Sequence, residues 1–271
     1  MQRMTSTCGL QALNIISKSA VTVNQLQEDS PEGLKLSELA RKVNSLYSLV
    51  GGYTATDRED ISTDDEIINW TFSDVAGELC SALWNLSSGF YKTSASCLRG
   101  ALEMGAVSLY FQMRENDDPG AGYNQEFVNW DSGVKGTPSW GTTKSKIKAS
   151  KNVFDFEIAN GYNPIEEAYD HFKFLCSFTH SRAYSPEDRK GTNFMNMNGN
   201  LGSFNKAEFQ RISEAMDKTI AMIASMWIIS YPHILEVWNS CDGDDATFCK
   251  LEEIFSCKSS FEVLNFSLGK L

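Results

Sequence analysis

From Ser73 to Gln112 the chain carries a nearly unbroken apolar repeat of helical period and no proline, and this feature constrains the fold more than any other. Val75, Leu79, Leu83 and Leu86 line its first half, and Tyr91, Ala95, Leu98, Leu102 and Leu109 its second. Spacings of three and four residues place such side chains on one helix face, which must then be buried against a neighbour. Gly105 allows that neighbour a close approach. The pattern breaks only at Ser87-Ser88-Gly89, where two helices or one kinked helix can be drawn.

Other segments repeat the theme. Ser30-Pro31 supplies a capping residue and a first-turn proline for a helix over 31–50. It carries Leu36, Leu39, Ala40, Val43, Leu46, Tyr47 and Val50, and Gly51-Gly52 stops it. Asn163-Pro164 with Glu166-Glu167 starts a helix over 163–181. The last strong element spans 205–238, with Ile212, Met216, Ile220, Ile223 and Trp227 spaced for burial and a kink at Pro232. Between these lies an insertion, 116–161, whose turn chemistry predicts short helices. Residues 191–204 alternate around Asn198-Gly199, a hairpin dipeptide. The tail 240–271 reads as peripheral. With 6 prolines in 271 residues, the expectation is one all-α domain. It is a bundle of long antiparallel helices with a short-helix insertion and at most a small β-hairpin.

Composition narrows the function. Lys and Arg number 24 against 35 Asp and Glu, a net charge of −11. A broad polyanion-coating role is excluded, because counterion release needs clustered cations. Only Lys144 to Lys151 offers a cluster. The seven cysteines are odd in number and three sit in apolar helical windows, so they read as reduced; with no Cys-x-x-Cys and no Cys/His group of zinc spacing, neither metal nor cofactor is expected. Met1 to Ala20 lacks an apolar signal core, which predicts a cytoplasmic protein. The uncharged run Thr219 to Leu235 is shorter than the ~20 apolar residues of a membrane span and reads as a core helix.

Familiar catalytic loops are missing their key residues. Gly136 to Lys144 imitates a phosphate-binding loop, but Thr142 stands where the lysine belongs. Asp242 to Glu253 imitates a calcium loop and fails at Ala246 and Thr247. What remains is a set of polar groups inside apolar helices. Arg99 and Glu103 are one turn apart and can pair. Tyr169, Cys176 and His180 share one helix face, with Ser177 and Arg182 close by in sequence. Groups of this kind need mutual hydrogen bonds to offset a burial penalty of several kcal/mol. One reading is a polar network that fixes helix register. The other makes His180 a general acid or base, with Arg182 or Arg99 stabilising a phosphate-centred transition state. His171, beside Lys173, reads as solvent-facing, and His233 as part of the core helix.

On Arg99, Glu103, Ser177, His180 and Arg182 the chain resembles uncharacterised bacterial all-helical proteins similar to the HEPN superfamily, over about residues 73 to 182. The resemblance implies a four-helix bundle, a homodimer formed across the site helices, and a role in phage defence or as a toxin. In active members it implies metal-independent RNA cleavage. Catalytic members place the arginine before the histidine, whereas this chain reads His180-Ser181-Arg182. Non-catalytic members, which bind partners or nucleic acid, are compatible with that order. The alternative from another class is a non-enzymatic interaction protein that docks a helical partner through helix faces and the aromatic insert around Trp130 and Trp140.

Overall fold

A computed structural model of the chain describes residues 30–54, 66–117, 125–179 and 202–230, with Val23, Leu26 and Ile254 as single positions. Among the described residues there are eight helices and no strand. In chain order they are α1 (Pro31–Thr54), α2 (Glu66–Ser87), α3 (Tyr91–Asp117), α4 (Gln125–Asp131), α5 (Trp140–Lys148), α6 (Lys151–Asn160), α7 (Pro164–Thr179) and α8 (Lys206–Ser230). The protein is an all-α bundle. The hairpin expected over 191–204 and the kink at Pro232 lie outside the described residues, save for 202–204, which are turn and coil.

Helix α1 starts as its sequence predicts, with Ser30 Oγ accepting the Gly33 N–H at 3.0 Å. Its end is a correction. The helix continues through Gly51 and Gly52 to Thr54, and neither glycine takes the positive φ that a glycine stop requires. Glycine inside a helix costs only about 1 kcal/mol relative to alanine, so the pair weakens the helix without ending it. The buried face also differs from expectation. Leu39, Val43 and Leu46 are buried as predicted, yet Ala40 and Tyr47 are exposed, and Lys42 and Ser45 are buried instead.

The interruption at 87–89 proves to be a tight turn between two helices. Gly89 adopts φ +75, its N–H donates to Leu86 O and the Phe90 N–H donates to Asn85 O. This double bond pattern satisfies the last carbonyls of α2 and reverses the chain into α3. Across the resulting hairpin, Ser94 Oγ donates to Ala82 O at 2.7 Å.

Helix α3 is the spine of the molecule, packing against α2, α5, α7 and α8. Gly105 takes the role the sequence predicts: a Cβ there would meet Ile223 of α8 at 3.3 Å. At the start of the same two helices, the Asn205 N–H donates to Tyr91 Oη. Contacts that advance together along both helices mean that α3 and α8 run in the same direction. A parallel pair needs a crossover, and the insertion followed by α7 supplies it. The pairs α2–α3 and α7–α8 run antiparallel, the second held by Lys218–Glu167 at 3.1 Å and by Arg211 over the Phe178 ring.

The insertion folds as the short helices α4 to α6. Ser139 and Ser150 cap α5 and α6, and Gly161, at φ +72, closes α6. The whole length of α8 beyond Phe209 is largely buried, including Ile220, Ile223 and Trp227. Among the described residues no helix is long and apolar enough to cross a membrane. Ile254, in the tail expected to be peripheral, is fully buried in this core.

Candidate functional site

Arg99 and Glu103 project from the middle of α3, one turn apart, and form an ion pair of 3.3 Å with side chains 32% and 28% exposed. They face α7, which presents Phe172 and Cys176, likewise one turn apart. The Arg99 guanidinium lies 5.3 Å from the Phe172 ring centroid. Burial pushes the Cys176 thiol upward, with the Arg99 charge opposing and the Glu103 charge reinforcing the shift. The ion pair and the thiol therefore share one local environment.

Helix α5 closes the third side. Trp140 stacks on Phe172 at 4.6 Å and on Tyr169 at 6.1 Å, with interplanar angles of 15° and 17°. Beyond Tyr169, Lys144 and Lys173 approach its ring at 4.5 and 4.8 Å. The result is an aromatic ladder, Phe172–Trp140–Tyr169, with a guanidinium against one end and two ammonium groups against the other. Each such cation–ring contact contributes about 0.5–1 kcal/mol at a partly exposed position. Glu166 fastens α7 to α5 by accepting from Lys148 at 2.6 Å and Lys144 at 3.0 Å. Those two bonds hold its carboxyl below the usual carboxylate range.

On the helices that meet here, three polar atoms are buried without a hydrogen-bond partner: Arg99 Nε, Trp140 Nε1 and Thr143 Oγ1. Thr143 shares the buried face of α5 with Trp140 and Ile147. That helix packs on both α3 and α7.

The predicted site residues separate into three groups. Arg99 and Glu103 meet as the one-turn spacing requires, and Tyr169 joins them at the far end of the ladder. Ser177 does not join: its hydroxyl donates to Phe174 O at 2.6 Å within its own helix. His180 and Arg182 lie outside the described residues.

Three expectations are corrected. His171 is buried rather than solvent-facing. Its Nε2 lies 3.2 Å from Ala215 O and 3.0 Å from Thr219 Oγ1. A carbonyl can only accept, so this nitrogen carries the proton of a neutral imidazole. Burial, reinforced by the Lys218 charge, pushes the His171 pKa down to about 4. The basic run is not a set of free cations: Lys144 and Lys148 are engaged by Glu166, and Lys151, 86% exposed, by Asp155 at 3.1 Å. Nor do the insert's tryptophans form a free docking surface. Trp140 is 7% exposed within the ladder, and Trp130 packs on Phe111 and Phe127.

Phe172 and Thr143 are residues that sequence reasoning missed, and it placed Trp140 only in a docking surface. Phe172 stands three positions after Tyr169 and four before Cys176, a spacing that could have placed it on the polar face of α7. Nothing local marks Trp140 as its neighbour. Among the described residues, no group of three or more His, Cys, Asp or Glu could hold a metal ion. Comparison with protein-family models, curated proteins and solved structures gives no match.

Proposed function

We propose that the chain is a HEPN-like RNA-binding protein of bacterial defence or toxin type, acting in the cytoplasm, which engages a backbone phosphate through Arg99. The observation that carries this reading is the state of the Arg99 side chain. It is a guanidinium braced by Glu103 and Phe172, accessible on one side, with its Nε–H buried and unpartnered. A planar, permanently charged fork held in this way suits phosphate recognition. The net charge of −11 favours a narrow contact over a wide groove. His180, which follows α7 directly, is the acid–base group of this reading, and Arg182 is its second cation.

Binding of a single-stranded oligoribonucleotide in magnesium-free buffer tests the proposal. Arg99→Ala should weaken binding by about tenfold, the loss of one charge-assisted hydrogen bond. Equal and negligible binding by the wild-type and variant proteins would remove the reading. RNA left intact by the wild type, with growth arrest unchanged on His180→Ala, would remove cleavage and leave binding.

A second reading, a non-enzymatic interaction module, is favoured by Phe154 and Ile158. They stand one turn apart on α6 and are 57% and 69% exposed. Copurification of a helical partner that is lost on Phe154→Ser supports this reading, and a chain that recovers none from its native cells speaks against it.

A further inference from the structure

We infer that the outward face of α2 docks a second copy of this chain, antiparallel about a twofold axis between Cys80 and Ser81, with Trp84 of each copy seated over Gly77 of the other. The face lies on α2, away from the helices that carry Arg99 and Cys176, and the inference stands independently of the Arg99 reading.

Helix α2 buries Val75, Leu79, Ala82 and Leu86. At about 100° per residue its opposite side carries Ser73, Gly77, Cys80 and Trp84, and all four are exposed. Their spacings of four, three and four residues are those of a seam between paired helices. None of the four is charged. On a chain of net charge −11, such a seam lets two copies meet without repulsion along the contact line.

Two members of the seam have no explanation inside the chain. Trp84 is 72% exposed, the large ring turned out from the bundle. Gly77 stands in the interior of α2, where glycine destabilises a helix relative to alanine. On α3, glycines at such positions make room for a neighbour. A Cβ at Gly105 would press on Ile223, and one at Gly100 on the Glu78 side chain. At Gly77 a Cβ would meet nothing within 4 Å. A bulky ring and a bare stretch of backbone, two turns apart on one line, complement each other across a twofold axis.

That pairing fixes every other contact. With Trp84 over Gly77, Cys80 meets Ser81, Asp74 meets Ser87 and Glu78 meets Leu83, so neither acidic side chain faces another. A parallel pair in register would set Asp74 against Asp74, Glu78 against Glu78 and ring against ring, which selects against it. The antiparallel pair also opposes the two helix dipoles. The two indoles and the surfaces they cover bury about 600 Å² in all, more than half of the ~1,000 Å² that a specific interface clears. The small seam residues let the helices approach and add the remainder. An interface of this size gives a reversible dimer.

Sedimentation velocity of the full chain between about 1 µM and about 1 mM, where small interfaces dissociate, tests the inference. The expected result is a monomer that becomes a dimer as concentration rises. Trp84→Ala should weaken that dimer by at least about tenfold, with the helical circular dichroism unchanged because the ring is exposed. Gly77→Gln should act with opposite signs on folding and association. It fills the recess and weakens the dimer by about tenfold, yet raises the melting temperature of the monomer at low concentration, since glutamine is the better helix former. A short bismaleimide should join two copies through Cys80, which is an exposed free thiol, and Cys80→Ser should abolish that product.

A chain that stays monomeric throughout overturns the inference, and so does a monomer that binds a different protein through Trp84. A dimer indifferent to Trp84→Ala, or cross-linked as well after Cys80→Ser, uses another face and overturns it equally. A Gly77→Gln monomer that melts lower gives the glycine a role inside its own fold and removes the recess from the argument.

Discussion

His171 shows how far a residue's surroundings can depart from its sequence neighbourhood. Lys173 and Asp170 flank it and form an exposed ion pair of 2.6 Å, yet the imidazole between them is buried against α8. Its partner, Ala215, lies 44 residues further along the chain, so no local pattern could have placed it. Arg99 and Glu103 were legible because both ends of their contact lie on one helix. The burial of His171 has a pH consequence. Above the ordinary value of 6.5 the imidazole is neutral in folded and unfolded chains alike. As the pH falls from 6.5 towards about 4, the unfolded chain binds the proton first. Stability is therefore present above that window and lost through it, by up to about 3 kcal/mol. Urea denaturation of the wild type and of His171→Phe at a series of pH values isolates this contribution from that of the carboxylates. The difference between the two curves should be flat above pH 6.5 and change through the window. A constant difference down to pH 4 would show that the ring is not held neutral.

Individual helices were visible in the sequence, whereas their rotation about their own axes was not. The period of α1 predicted Ala40 and Tyr47 as inward residues, but the helix is turned to bring Lys35 and Lys42 to Asp217 of α8. Lys42 is only 3% exposed and lies between Asp217 and Glu38. Burial by itself raises the Asp217 carboxyl. The bonds from Lys42 and Lys35 outweigh burial and hold it below its ordinary value. This clasp leads to an asymmetric prediction. Asp217→Ala should destabilise the protein by about 2 kcal/mol, since it leaves the buried Lys42 ammonium with the Glu38 carboxylate, at 3.0 Å, as its remaining anionic partner here. The double variant Lys42→Met/Asp217→Leu should come within about 1 kcal/mol of the wild type, because no charge is then left buried without a partner. Chemical denaturation of the three proteins measures both. Equal losses in the single and double variants would mean that the clasp contributes through packing alone.

For the molecule as a whole, the all-α class followed from helical repeats that each lie within one segment. The parallel course of α3 and α8 did not, because it depends on where the crossover carries the chain. Nor did the aromatic ladder, whose rings come from two helices that sequence gives no reason to join. The distribution of charge has its own measurable outcome. With Lys144 and Lys148 engaged by Glu166 and Lys151 by Asp155, an RNA ligand held at Arg99 displaces few counterions. If Arg99 and Arg182 are the contacts, the logarithm of the binding constant should fall with the logarithm of salt concentration at a slope of about −1.4. Fluorescence anisotropy over a salt series reads this slope, and a value several times steeper would point to a broad cationic surface elsewhere.

The position of α3 also bears on how the chain matures at the ribosome. Its faces are completed by α2, which emerges before it, and by α8, which emerges only after the insertion and α7. Until Lys206 to Ser230 has been synthesised, Gly105 and its neighbours have no Ile223 or Trp227 to rest against. A nascent chain halted at Asn205 would hold an oily, half-built core exposed to water, the state that chaperones capture.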